Sequence, residues 1–437
     1  MASQSNHPAW PVSWAVIPAA VPRPGEPDLT LCRVGGHPLI GRAILAARRA
    51  RGIIQVFVST ESTEIAATAR HYGAHVVAAA AASTTSPFAA AAAFARAHSH
   101  LASPPPEFIA LLRWSAPFVA ASDIDGTLER LFSTGADAAF AAVATSSALW
   151  QPTAAAADRF APLSLSAPDP DAPKSTVGTA AFPTTYREAG SVYAVRTAAG
   201  CPPAGEPDHW NEQEGWRERP TTLYESAAAR ALEVTDAETL QLAHLLAPHL
   251  GAQQALEALP ERIGAVVFDF DGVFTDNGVW VSEHGVESVR CSRGDGMGIG
   301  LLRSTGVPLL VLSKERNPVV TTRCEKLGLP VLQGIDDKRS ALLRWLDEHQ
   351  VSAEETVYVG NDINDCPCLE LAGCAVGPQD SHPDVIAHID LLLEQPGGYG
   401  AVRELCDLLC SHFVAGPKET HSLPPVLVKQ RTTPLSL

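Results

Sequence analysis

The sequence predicts an α/β protein of two domains, each built on a largely parallel sheet. Three observations predict it. Short apolar runs of strand length alternate with stretches of helical periodicity along most of the chain. The chain is 437 residues long, more than one hydrophobic core ordinarily serves. An apolar helix ending at Pro260 separates two such alternating series, which puts the domain boundary near residues 250–262.

The elements follow in order. Residues 1–12 form a polar, Pro-containing tail. Trp14 to Ile17 is a first strand, closed by Pro18, and a loop rich in Pro and Gly runs to Gly36. Leu39 to Ala50 reads as a helix, Ile53 to Val58 as a strand and Ser62 to Tyr72 as a helix. Phe108 to Leu112 is strand-like, and Asp123 to Phe132 helical. Ala154 to Pro183 has the composition of an insertion or a flap over a site. Ser191 to Val195 resumes strand character, and Thr235 to Leu259 is a helix with one apolar side. Residues 251–261 are then expected to be a linker, and 262–410 the second domain. The Pro-containing tail, 411–437, is expected to be disordered.

Composition narrows the function. The net charge of -16 argues against a nucleic-acid partner, because phosphate backbones select for basic surface. No apolar run is long enough for a bilayer span, and the N-terminus lacks the order of a secretory signal. Nine scattered cysteines read as reduced thiols, so a cytoplasmic location is expected. There are six lysines, none before Lys174. Chemistry that needs a lysine is therefore excluded from the first third of the chain.

The second domain carries acids at strand ends, where α/β sheets bind ligands. Asp269 and Asp271 stand two residues apart after the buried run Ala265 to Phe268. Crowded carboxylates repel unless a cation lies between them, and Mg²⁺ suits an all-oxygen set. Gly272 allows a sharp turn after the second acid. Val307 to Leu312 leads into Ser313, a hydroxyl able to hold a phosphoryl oxygen. Lys338 follows a Gly-Ile-Asp-Asp turn and can neutralise phosphate charge. The strand beginning at Val357 ends near Asp362 and Asp365. This set suits aspartyl-phosphate chemistry: one carboxylate attacks phosphorus, a second moves the proton, and lysine with a cation offsets charge.

The motifs DFDGVFTD, LSKE, DDK and GNDIND, in that order, resemble the haloacid dehalogenase phosphatases. The likeness covers about residues 262–408 and is nearest to the branch that hydrolyses 8- or 9-phosphates of ulosonic acids. It implies a Rossmannoid domain with Asp269 as nucleophile and Asp271 as general acid/base. Ser313 and Lys338 would bind phosphate. Asp269, the Asp271 carbonyl and Asp362 would hold Mg²⁺, with Asp365 in support. Only a hairpin, roughly Val279 to Arg290, fits between the first two motifs, so the cap is minimal. The resembling phosphatases form tetramers, and their Gly-rich segment near the C-terminus reaches an adjacent site. Gly397 to Glu404 matches that segment, so Arg403 is a candidate contact for a substrate carboxylate, with a surface role as the alternative. Arg293 is a candidate reader of anionic substrate on the same terms.

Residues 14–240 resemble acylneuraminate cytidylyltransferases, which implies a nucleotidyltransferase-like, Rossmann-like first domain. AVIPA at 15–19, GGHPLIGRAILAA at 35–47, the 56–74 segment, LLRWSAPF at 111–118 with Asp123 and Asp125, and REAGSVYAV at 187–195 carry the likeness. The departures fall at functional positions. Ala20 stands where the family has Arg, and Glu26 and Asp28 would repel phosphate, leaving Arg23 as a partial substitute. Arg113 and Ser115 replace pyrimidine contacts, and Glu233 and Thr235 replace a metal-holding pair. A triphosphate grip should not survive three such losses. The expected function is a Mg²⁺-dependent phosphomonoesterase of a small acidic sugar phosphate, homo-oligomeric, with a first domain serving as scaffold or binding domain. The alternatives are a bifunctional CMP-ulosonic acid cytidylyltransferase/phosphatase and a non-catalytic assembly protein.

Overall fold

The computed structural model describes residues 12–20, 28–78, 87–98, 101, 105–145, 150–153, 156–162, 185–197 and 219–415. Two compact units emerge. The first comprises Met1–Ala258, Asn361–Cys366 and Val376–Gln395. The second comprises Leu259–Gly360, Pro367–Ala375 and Pro396–Leu437.

The α/β class holds. A seven-stranded sheet runs in the order Thr221–Glu225, Ala138–Thr145, Thr185–Arg196, Phe108–Leu112, Ser13–Pro18, Ile53–Ser59, His75–Val77. Ser13–Pro18 pairs in parallel with both neighbours. Thr185–Arg196 runs antiparallel between Phe108–Leu112 and Ala138–Thr145. Its apolar residues Val192 to Val195 are buried, as a central strand requires. Trp14, Phe57, Phe88, Phe94 and Tyr193 fill one face of the sheet.

Local signals set the helices. Ser62 Oγ accepts from the Ile65 amide at 3.3 Å and starts the helix Thr63–His71. Asp236 exchanges bonds with Thr239 in a capping box that starts Ala237–Glu257. That helix buries Ala243, Ala247 and Leu250 against Leu29, Leu39 and Phe118. It ends at Glu257, two residues before the Leu259 end that its sequence predicts, so residues 251–257 of the expected linker belong to the helix.

A six-stranded sheet runs in the order Val331–Leu332, Leu309–Leu312, Ala265–Phe268, Thr356–Val359, Cys374–Gly377, Leu391–Leu392. Ala265–Phe268 is central, parallel to both neighbours and wholly buried, which explains its unbroken apolar sequence. Thr275–Val281 and Glu287–Cys291 form a separate antiparallel hairpin. The last helix, Ala401–Ala415, extends four residues past the expected start of the disordered tail at 411, because Leu405, Cys406 and Leu409 anchor it. Residues 416–437 lie outside the described residues, as does the first tail, 1–11. Part of the expected insertion, Ala156–Pro162, pairs with Trp150–Thr153, and residues 163–184 lie outside the described set.

Candidate active site

The second sheet places its functional groups through strand pairing. Phe268 pairs with Val359, and the Asp269 amide donates to the Val359 carbonyl at 2.8 Å. The residues after both strands therefore leave the same edge of the sheet. Leu309–Leu312, on the other side of the central strand, delivers Ser313 to that edge.

Asp269 is buried, and its Oδ1 lies 2.7 Å from Lys338 Nζ, itself buried. Lys338 is the first residue of the helix Lys338–Glu348, whose N-cap Asp337 accepts from the Ser340 amide at 3.0 Å. The buried lysine pairs with Asp269 and fixes its direction. Asp271 is half-buried. Burial, and then the charge of Glu315, pushes its carboxyl up to about 6, against an opposing pull from Lys338. A carboxyl in that range can give and take a proton near neutrality.

The turn that follows the second acid is closed by its own hydrogen bonds. Gly272 has φ +77°, and its amide donates to Thr275 Oγ1 at 3.0 Å. The Phe274 amide closes the turn on the Phe270 carbonyl at 2.9 Å. Ser313 is buried, and its Oγ accepts from the Glu315 amide at 3.1 Å, which leaves the hydroxyl proton available to a phosphoryl oxygen. Asp362 caps the short turn Ile363–Asp365, accepting from the Ile363 amide at 2.7 Å. Asp365 is fully buried and accepts from the Asn361 and Asp362 amides at 3.0 and 3.3 Å. It shapes the loop that carries Asp362.

The donors suit a hard divalent cation. Two carboxylates and one peptide carbonyl supply oxygen only, and waters complete such a shell. Among the described residues, no group of three His, Cys, Asp or Glu side chains forms a preformed metal cluster. Asn361 adds a buried Oδ1 without a hydrogen-bond partner beside Asp362.

The two arginine candidates differ. Arg293 is exposed at the first position of the helix Arg293–Arg303. Arg403 Nε is held by Asp407 at 2.8 Å, one turn along its own helix, and its amide donates to Asp295. The Gly-rich segment packs on its own chain: the Gly398 amide donates to the Val273 carbonyl at 3.1 Å. Two groups escaped the sequence reading. Glu315 lies inside LSKE and acts on Asp271 by charge, and Glu287, from the hairpin, does so more weakly. Nothing in strand-end spacing signals either one.

The first unit brings together a different set of groups. Arg113 Nη1 pairs with Glu233 Oε1 at 2.7 Å, and Ser115 Oγ donates to the same oxygen at 3.1 Å. Burial disfavours charge on Arg113, but the bond to Glu233 outweighs it and raises its pKa. Asp123 accepts from the Ala120 amide, Ser226 Oγ and Arg230 Nη2 at 3.0, 2.7 and 3.0 Å. Asp125 accepts from the Gly52 amide at 3.0 Å. Both acids are thus committed to the fold. Thr235 lies beside Asp236 at the helix start, and Arg23 and Glu26 lie outside the described residues.

The MobA-like NTP transferase domain family matches residues 22–177. The 3-deoxy-D-manno-octulosonate 8-phosphate phosphatase KdsC of Escherichia coli K12 is 33% identical over 153 residues, 35% of this chain and 81% of that protein. The chain belongs to the KdsC-type haloacid dehalogenase phosphatases. It is a phosphoric monoester hydrolase by family, fused to a nucleotidyltransferase-like domain. The N-acylneuraminate cytidylyltransferase A of Danio rerio is 32% identical over 152 residues, 34% of this chain and 35% of that protein. Among solved structures, the KdsC-type phosphatase of Moraxella catarrhalis, in complex with magnesium ion, phosphate ion and KDO, is 26% identical. It covers 37% of this chain and 95% of that one, with a TM-score of 0.36.

Proposed function

We propose that this chain hydrolyses the phosphate ester of a small acidic sugar, of the ulosonate class, through an aspartyl-phosphate. The observation that carries the reading is the buried Asp269–Lys338 pair at 2.7 Å beside an Asp271 whose carboxyl is raised to about 6. An Asp269 oxygen attacks phosphorus, the bond from phosphorus to the sugar oxygen breaks, and Asp271 protonates that oxygen. Water then attacks the phosphoryl group, gives its proton to Asp271 and releases phosphate, restoring the Asp269 carboxylate. Ser313 and Lys338 hold the phosphoryl oxygens. Asp269, the Asp271 carbonyl and Asp362 would hold Mg²⁺, which when bound supplies charge neutralisation at the phosphoryl oxygens. Asp269→Asn should lower phosphate release from an ulosonate phosphate by roughly 10³-fold or more. Release that persists in this variant overturns the reading.

The first domain is proposed to be a scaffold without nucleotide turnover. Arg113 and Glu233 neutralise each other, and Asp123 and Asp125 brace the backbone. Pyrophosphate release from CTP and an ulosonic acid would overturn this assignment. The phosphatase domain is proposed to assemble into a homo-oligomer, a tetramer by likeness to its relatives. The hairpin exposes Val279, Trp280, Val281 and Val286, an apolar set that a lone hairpin has no means to bury. Among the described residues, no helix is long and apolar enough to cross a membrane.

A further inference from the structure

Asp295 sits in the first turn of the helix Arg293–Arg303 and has no place in the mechanism above. It is fully buried. Its Oδ1 accepts from the Arg403 amide at 3.1 Å, while its Oδ2 is buried with no hydrogen-bond partner. Arg323 Nε, from the helix Val319–Leu327, is likewise buried and unpartnered, and its charge acts on Asp295. Arg290 and Cys291 face it from the hairpin, and Cys406 faces it from the last helix.

The amide that Asp295 holds begins the last helix, and the residues just before it touch the nucleophile loop. A Cβ on Gly397 would stand 2.0 Å from the Gly272 carbonyl oxygen, and one on Gly398 would stand 2.5 Å from the Asp276 amide. Gly398, at φ +68°, donates to Val273, and Arg290 Nη1 donates to its carbonyl at 3.2 Å. Arg290 also lies 3.7 Å from Asp276 and stacks 4.1 Å over the Tyr399 ring. The segment is thus wedged beside the residues that follow Asp271, with no room for a side chain at the two glycines.

We propose that Asp295 is a positioning residue of the phosphatase site, fixing the Gly397–Arg403 segment as a brace against the nucleophile loop. This rests on the phosphatase reading above. The group is retained against its own stability. Burial pushes its carboxyl up to about 6, so the folded state favours the protonated form. The stability it contributes is present below the ordinary carboxylate range and is lost as pH rises through about 6. At pH 7.5 an ionised carboxylate remains in a dry site because its charge strengthens the bond to the Arg403 amide and answers Arg323.

The test uses the full chain with Mg²⁺ and p-nitrophenyl phosphate, comparing wild type, Asp295→Asn and Gly397→Ala. At pH 7.5 Asp295→Asn should melt at or above the wild-type temperature, and its kcat should fall roughly 10- to 100-fold. The melting difference should shrink toward pH 5. Amide hydrogen exchange should quicken both in 397–403 and in 273–276, and Gly397→Ala should quicken the same two segments. Unchanged kcat in Asp295→Asn, or a fall in kcat matched by a fall in melting temperature, overturns the proposal. So does exchange that stays slow in 273–276. If wild type hydrolyses nothing, the phosphatase reading fails, and the exchange data alone then decide whether the brace exists.

Discussion

Asp269 and Asp271 are two residues apart, yet they occupy different electrostatic settings. The first is paired with a buried lysine at 2.7 Å; burial and then Glu315 push the carboxyl of the second up to about 6. The split is what a nucleophile and a proton donor require of two like groups. For an alkyl phosphate, whose leaving oxygen needs a proton, kcat should decline as pH rises through about 6, and Asp271→Asn should remove that dependence. The same raised carboxyl costs stability. Its contribution is present below the ordinary carboxylate range and is lost as pH rises through about 6, so Asp271→Asn should not lower the melting temperature at pH 7.5. Glu315→Gln should move the kinetic limb to lower pH, because it removes a like charge. The positions of Asp269, Asp271, Ser313 and Lys338 were legible because each follows a strand. Glu315 and Asp295 were not, because their effects come from groups distant in sequence.

At the scale of elements, two acids in the first domain show how a motif can be kept for structure. Asp123 caps the start of the helix Ala121–Thr134 and ties it to Ser226 and Arg230. Replacing it with alanine strands those donors in a buried setting. Asp123→Ala should therefore cost about 2–4 kcal/mol in denaturant unfolding, with no loss of phosphate release beyond the fraction unfolded. Arg113→Ala removes a half-exposed pair. It should change stability by about 1 kcal/mol or less, and it should not create nucleotide turnover. The sequence placed these strands and helices well because their apolar periodicity is local. It missed the antiparallel direction of Thr185–Arg196, since strand direction depends on partners rather than on pattern.

At the scale of the molecule, the first unit recruits chain from far along the sequence. Within it, His37 is buried with Nε2 3.2 Å from the Leu392 carbonyl, and burial pushes its pKa down to about 3. Arg48 Nη1 donates to the Ile386 carbonyl at 2.6 Å in the same unit. A fragment ending at Ala258 loses these partners and should melt below the full chain by circular dichroism. The exposed hairpin gives a second expectation: Trp280→Ser should shift the full chain toward smaller species in light scattering while leaving monomer folding intact.

Sequence alone determined the α/β class, the order of the acids at the strand ends, and the absence of lysine before residue 174. These are local or compositional facts: strand ends, spacing and residue counts carry them. Only the tertiary structure decided which charges act on one another. It paired Arg113 with Glu233 across 120 positions and Lys338 with Asp269 across 69. It also set Asp295 on the Arg403 amide, 108 positions away, and drew 376–395 into the first unit. Those outcomes depend on burial and on distances between segments far apart in the chain, which no local pattern encodes.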